Sequence, residues 1–148
     1  MEILFYHLQN SPLEQTLPSL LEKTLQRGWK AVVRASSDER LKALDDHLWT
    51  FSDDGFLPHA RVGDADQEAH PIILSLTDIR YNNAEVMFAV DGADLPQTDG
   101  WSRAVLIFDN KDDKALQKAR LAWKTVKAQN HEATYWRQND AGRWEKQA

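Results

Sequence analysis

Short apolar runs alternate with leucine-spaced segments along this chain. Glu2–Ile3–Leu4–Phe5–Tyr6–His7–Leu8 is nearly continuous in apolar character, which suits a strand buried on both faces. Leu13, Leu17, Leu20, Leu21 and Leu25 then recur at helical spacing, and Gly28 stops the helix. Ser11 reads as its cap, Pro12 as its first residue, and Glu14 completes the capping box. Pro18 removes the bond to the carbonyl of Glu14, so a kink is expected. Trp29–Lys30–Ala31–Val32–Val33–Arg34–Ala35 predicts a second strand. Ser36-x-x-Glu39 opens a second helix with Leu41, Leu44 and Leu48 on one face and Trp49–Thr50–Phe51 at its end. Ser52–Asp53–Asp54–Gly55 is a turn by composition. Phe56–Leu57–Pro58–His59 is an apolar knob on a loop or short edge strand, since Pro58 bars a central one. Asp64–Ala65–Asp66–Gln67–Glu68 reads as a solvated acidic loop. Three apolar runs follow, at Pro71–Leu76, Glu85–Val90 and Ala104–Phe108. A helix over Asp112–Lys127 comes next, then a strand at Ala133–Arg137, a turn at Asn139–Gly142 and a short tail at Arg143–Trp144–Glu145. This order predicts one α/β layered domain over residues 1–148, with a mostly parallel, twisted sheet flanked by helices.

Composition narrows the classes. With 42% apolar and 28% charged residues among 148, the chain has the makings of a packed core and not of disorder. No run of 18 apolar residues and no basic-then-apolar leader is present, so a soluble, cytoplasmic protein with no membrane contact is expected. The absence of cysteine excludes disulfides, thiol catalysis and thiolate-held metals. A net charge of −5 argues against a surface that coats nucleic acid. That charge is unevenly spread. Residues 1–110 carry 9 basic and 18 acidic side chains, whereas residues 111–148 carry 9 basic and 5 acidic. From Lys114 to Lys127 there are five cations and no acid.

Two kinds of chemistry compete for these residues. Asp78, Asp91 and Asp109 each follow an apolar run, at the strand ends where open α/β sheets bind ligands. They could form a carboxylate cluster for Mg²⁺-dependent phosphotransfer or nucleotide hydrolysis. The glycine-rich phosphate motifs that should accompany them are missing. The five histidines show no metal-binding spacing, so no metal and no cofactor are expected. The basic helix is more informative. Ala115, Ala119, Ala122 and Val126 make a core-facing stripe, with Leu116, Arg120, Trp123 and Lys127 beside it and Lys124 on its flank. Trp123 could complete the core while the cations serve the helix C-terminus. It could also floor a pocket with a cationic rim, matching a peptide that carries acids and an aromatic anchor, or single-stranded nucleic acid.

Three passages resemble the chi subunit of the bacterial DNA polymerase III holoenzyme, a clamp-loader accessory protein. They are the opening β-α-β unit from Phe5–Tyr6 through Arg27–Gly28–Trp29 to Val32–Val33, then His47–Leu48–Trp49–Thr50–Phe51 leading to Phe56–Leu57–Pro58–His59, then Ala119–Arg120–Leu121–Ala122–Trp123–Lys124. With Thr134–Tyr135–Trp136 the likeness spans essentially the whole chain. It implies a Rossmann-like domain without catalytic activity of its own, a non-catalytic subunit of a DNA-directed DNA polymerase complex. The family's role is to link the clamp loader to single-stranded DNA-binding protein by gripping that protein's acidic C-terminal tail, so that contact with single-stranded DNA is mostly indirect. Carried over residue by residue, the resemblance implies a tail site of Arg120, Trp123, Lys124 and Lys127, with Phe56 as the aromatic wall. The family's other partner is the psi subunit; no passage identifies its face, and Trp49 and Phe51, or the first helix, could be exposed for it or could equally be core. A member of the family has Tyr where Trp123 stands and a cation where Leu116 stands. That rim charge is therefore either absent here or supplied by Lys118.

Overall fold

The computed structural model describes residues 1–9, 12–50, 57–64, 67–141 and 143–148. Among them eight strands form one sheet: β1 (Glu2–Leu8), β2 (Ala31–Arg34), β3 (His59–Arg61), β4 (Ile72–Ser75), β5 (Val86–Ala89), β6 (Arg103–Asp109), β7 (Glu132–Gln138) and β8 (Trp144–Lys146). Their spatial order is β3-β4-β2-β5-β6-β1-β7-β8. All pairs are parallel except β7–β8. The helices are α1 (Leu13–Gln26), α2 (Asp38–Thr50) and α3 (Asp113–Ala128). This is the α/β layered fold that the run order predicts.

Alternation across the pleat divides the core in two. Leu4 and Leu8 of β1, with Val33, Leu74, Phe88 and Ile107, meet the leucines of α1 and α2 on one face. Ile3 and Phe5 of β1, with Met87, Ala104, Leu106 and Phe108, meet Ala115, Ala119 and Val126 of α3 on the other. A run that looks continuously apolar in sequence is therefore two interleaved faces, each with its own helical cover.

Local details differ from the sequence reading. The α2 cap is Ser37, one residue later than expected, because its Oγ accepts the N–H of Arg40 at 3.3 Å. Ser11 lies outside the described residues, and Pro12 occupies the position before α1 with no side-chain cap. The helix runs on through Pro18, whose missing N–H leaves the Glu14 carbonyl without its helical donor. His47 of α2 donates from Nε2 to that carbonyl, so one helix supplies what the other lacks. β3 lies at the sheet edge and begins just after Pro58, as the proline demands. Of the tail expected at Arg143–Glu145, Trp144 and Glu145 instead belong to an antiparallel strand, β8, and Asn139 Oδ1 accepts the N–H groups of Ala141 and Arg143 just before it. The expected turn at residues 52–55 lies outside the described residues.

Candidate functional site

The basic helix is fastened at both ends. Asp112 caps α3 by accepting the N–H of Ala115 at 3.1 Å, with Asp113 in the first turn and Lys127 in the last, the charge order that a helix dipole favours. Ala115, Ala119 and Val126 are buried, and Ala122 packs beside them. Small residues on this stripe let the helix lie close over β6 and β7. Trp123, one step round the helix, is half-buried and reaches down to the sheet. It meets Phe5 edge-on, with ring centroids 5.2 Å apart at 77°, and Tyr135 at 5.9 Å and 89°. Tyr135 is there because β7 pairs with β1 in a register that sets Phe5 opposite Tyr135.

Around this aromatic floor lies an open pocket of roughly 320 Å³, lined by Arg120, Trp123, Lys124, Tyr135, Gln147 and Ala148. The last two arrive by extending the β7–β8 pairing: Gln147 donates its N–H to the Tyr135 carbonyl at 2.7 Å, and Tyr135 donates to the Ala148 carbonyl at 3.2 Å. Lys127 sets its ammonium 5.4 Å from the Trp123 ring centroid, a cation–π distance. Arg120, Lys124 and Lys127 are exposed, and among the described residues none of the three forms a salt bridge. The result is an apolar floor with uncompensated cations on its rim. Such a surface can take an aromatic side chain and carboxylates at once.

Behind the floor runs a polar chain centred on the buried His7. The Tyr135 hydroxyl lies 2.7 Å from Nδ1 of His7, whose Nε2 lies 3.2 Å from Oδ1 of Asn110. Since Oδ1 can only accept, Nε2 carries the imidazole proton and Nδ1 accepts from the tyrosine. The electrostatics agree. Burial pushes the His7 pKa down, Arg137 and Arg120 add to that, and Asn110 and Asp109 oppose it. Burial also raises the Tyr135 pKa, against Arg137 and Arg120, so the hydroxyl keeps its proton.

Arg120, Trp123 and Lys124 thus line one pocket and Lys127 borders its floor. Phe56 lies outside the described residues. Its neighbour Leu57 packs in the α1/α2 cluster, on the sheet face opposite α3. Lys118 does not replace the rim charge that Leu116 lacks. Its ammonium is held by Asp94 at 2.7 Å and the Gly92 carbonyl at 2.6 Å, on the other flank of the helix. Tyr135, Gln147 and Ala148 escaped the sequence reading. Alternation could assign Tyr135 to a face of β7, but only the neighbouring strand reveals which side chains it meets.

The three carboxylates of the enzymatic reading are tied up separately. Asp78 accepts the N–H groups of Gln97 and Thr98 at 2.7 and 3.1 Å. Burial would raise its pKa, yet these two donors and the nearby Arg34 bring it down. Asp91 pairs with Arg40 at 3.0 Å, and Asp109 accepts the Lys111 N–H at 2.9 Å. Among the described residues no group of three or more carboxylates or histidines is placed to hold a metal ion. The crevice beyond the strand ends, about 200 Å³, is lined by Glu14, Asp91, Asp109 and Asp112, and among the described residues no cation lines it. The nearby Arg40 guanidinium is taken by Glu14 and Asp91. Among the described residues no helix is long and apolar enough to cross a membrane.

Comparison with known proteins places the sequence in a replication family. A family model described as DNA polymerase III chi subunit, HolC, matches residues 1–134. A probable DNA polymerase III subunit chi from Rickettsia prowazekii (strain Madrid E) is 23% identical over 148 residues, covering 95% of this chain and 88% of that protein. The family match takes in all of α3 and the first half of the site, and ends one residue before Tyr135.

Proposed function

Since the chain belongs to the DNA polymerase III chi-subunit family, we propose that it is a non-catalytic subunit that grips the acidic C-terminal tail of single-stranded DNA-binding protein and links it to the clamp loader. The observation that carries the proposal is the pocket floored by Trp123 and Tyr135 and rimmed by Arg120, Lys124 and Lys127, which form no salt bridge among the described residues. An aromatic residue at the end of a tail stacks on the floor, and the acids before it, together with the terminal carboxylate, meet the rim. Each exposed ion pair contributes ~0.2–1 kcal/mol and a buried aromatic anchor ~1.5–3 kcal/mol. After the entropy of association this supports weak, salt-sensitive, roughly micromolar binding. A tether made and broken repeatedly at a moving fork needs contacts of that strength.

The family's second partner, the psi subunit, fits the opposite edge of the sheet. Trp49 at the end of α2 is 53% exposed and rests on the buried His59 ring, with centroids 4.5 Å apart. His59 is fixed in turn through Nδ1, which donates to the Leu57 carbonyl at 2.7 Å, and its Nε2 lies 3.0 Å from Asp45. Trp and His in the L-W…F-x-P-H passage therefore build one rigid aromatic platform.

The test is a titration of an acidic peptide ending in a free phenylalanine carboxylate, followed by Trp123 fluorescence. Arg120→Ala and Lys124→Ala each weaken binding severalfold or more and leave the melting temperature nearly unchanged. Affinity untouched by both substitutions would overturn the assignment of this helix.

A further inference from the structure

α3 has a second flank. Leu121, Ala122 and Thr125 face away from Trp123, and with Met1, Leu95 and Pro96 they line a groove of about 410 Å³. Leu121 is 65% exposed, more than any other large apolar side chain among the described residues. The far wall of the groove is the segment after β5, and Asp78 pins it by accepting the N–H groups of Gln97 and Thr98. The near wall offers no free ammonium, because Lys118 is already held by Asp94 and Gly92. The groove is thus built in advance, with Leu95, Pro96 and Leu121 as its apolar part and Gln97, Gln129 and His131 as its polar part, and it lacks the row of exposed Arg and Lys side chains found on the other flank. Only the crest of the helix separates the two. Lys124 rims the pocket, Leu121 rims the groove, and residues three apart are neighbours on a helix surface.

We propose that the groove seats an apolar side chain of the same peptide whose acidic end enters the Trp123–Tyr135 pocket, about five residues before the peptide's terminus. The proposal rests on the tail-binding reading above and extends it to a second contact. Continuity across the crest selects this occupant. A peptide leaving the pocket past Lys124 meets Leu121 next, and helix width sets the spacing. A helix with its side chains is ~10 Å across and an extended residue advances ~3.3 Å, so passing round the crest takes about five residues. Acidic residues suit the first part of that path, over Arg120 and Lys124. They do not suit its end, where Asp94 stands on the groove wall and the lysine is taken. An apolar side chain there covers Leu121 and removes its surface from water.

Four acetylated peptides test this by titration against the full chain. Two are five residues long and two are nine, all with two aspartates and a C-terminal phenylalanine. The nine-residue pair carries Leu or Ser five residues before that phenylalanine, and the short pair carries a free or an amidated terminus. The long Leu peptide should bind about tenfold more tightly than its Ser counterpart, the gain from burying one aliphatic side chain. Leu121→Ser and, separately, Leu95→Ser should erase that gain while the short peptide with the free terminus binds as before. Equal affinity of the Leu and Ser peptides, or a gain that survives in both variants, would overturn the groove and leave the tail pocket standing. Failure of the short free-terminus peptide to bind would overturn both. A dimer in sedimentation that Leu121→Asp dissolves would give the groove to a second copy of this chain, and so also reject the proposal.

Discussion

His7 is 6% exposed, and its two ring nitrogens tie the pocket floor to the end of β6. Its ring also stacks on Phe108, with centroids 4.8 Å apart. Because burial lowers its pKa from 6.5, the unfolded chain takes up a proton at a pH where the folded protein does not. Stability therefore rises with pH across that interval. It is complete above about 6.5, and it falls as the pH drops below that value toward the lowered folded one. Denaturant melts between pH 5 and 8 should show this slope, and His7→Gln should flatten it. A slope of opposite sign would mean that the charged groups near the ring, Asp109 in particular, outweigh burial. Tyr135→Phe leaves Nδ1 of His7 buried without a donor, which costs about 1–3 kcal/mol. None of this could be read from the histidine in isolation, since its partners Tyr135 and Asn110 stand 128 and 103 residues away.

At the scale of elements, α1 and α2 correct one another. Pro18 removes a donor from the first turn of α1, and His47 supplies one from α2. A double-mutant cycle measures the exchange. His47→Ala should cost about 1 kcal/mol in the natural chain. It should cost distinctly less when Pro18→Ala restores a backbone N–H to the Glu14 carbonyl, and the packing lost with the ring cancels in the cycle. Additive effects would show that the two groups do not share that carbonyl. The amphipathic division of α3 was open to sequence reading, because a helix's period of 3.6 is a property of its own residues. Ala115, Ala119 and Val126 do face the core. Whether Trp123 belonged to core or surface was not readable. The structure makes it both, with its edge on Phe5 and one side open to the pocket.

At the scale of the molecule, the two candidate docking regions sit at opposite edges of the sheet. The pocket lies between α3 and β7, near the β8 edge. Trp49 lies beside β3, the other edge strand. The proposed linking role needs this separation, since neither ligand then blocks the other. Trp49→Ala should leave acidic-peptide affinity unchanged, and Arg120→Ala should leave binding of a psi partner unchanged. Titrations of each variant with each ligand check this, and cross-effects would show that the two surfaces are coupled. The layered α/β fold, the basic character of the last helix and its division into core and cationic stripes were all determined by the sequence alone. Each depends on residues within one segment, whose periodicity and charge act locally. Which aromatic ring faces Trp123 was decided by tertiary structure. That depends on β1 lying between β6 and β7, which brings Phe5 and Tyr135 side by side across 130 residues of chain. The closing strand β8 likewise becomes one only against β7, because three residues of mixed polarity carry no period of their own. The pocket is thus half local and half topological: α3 supplies its cations, and the order of the strands supplies its floor.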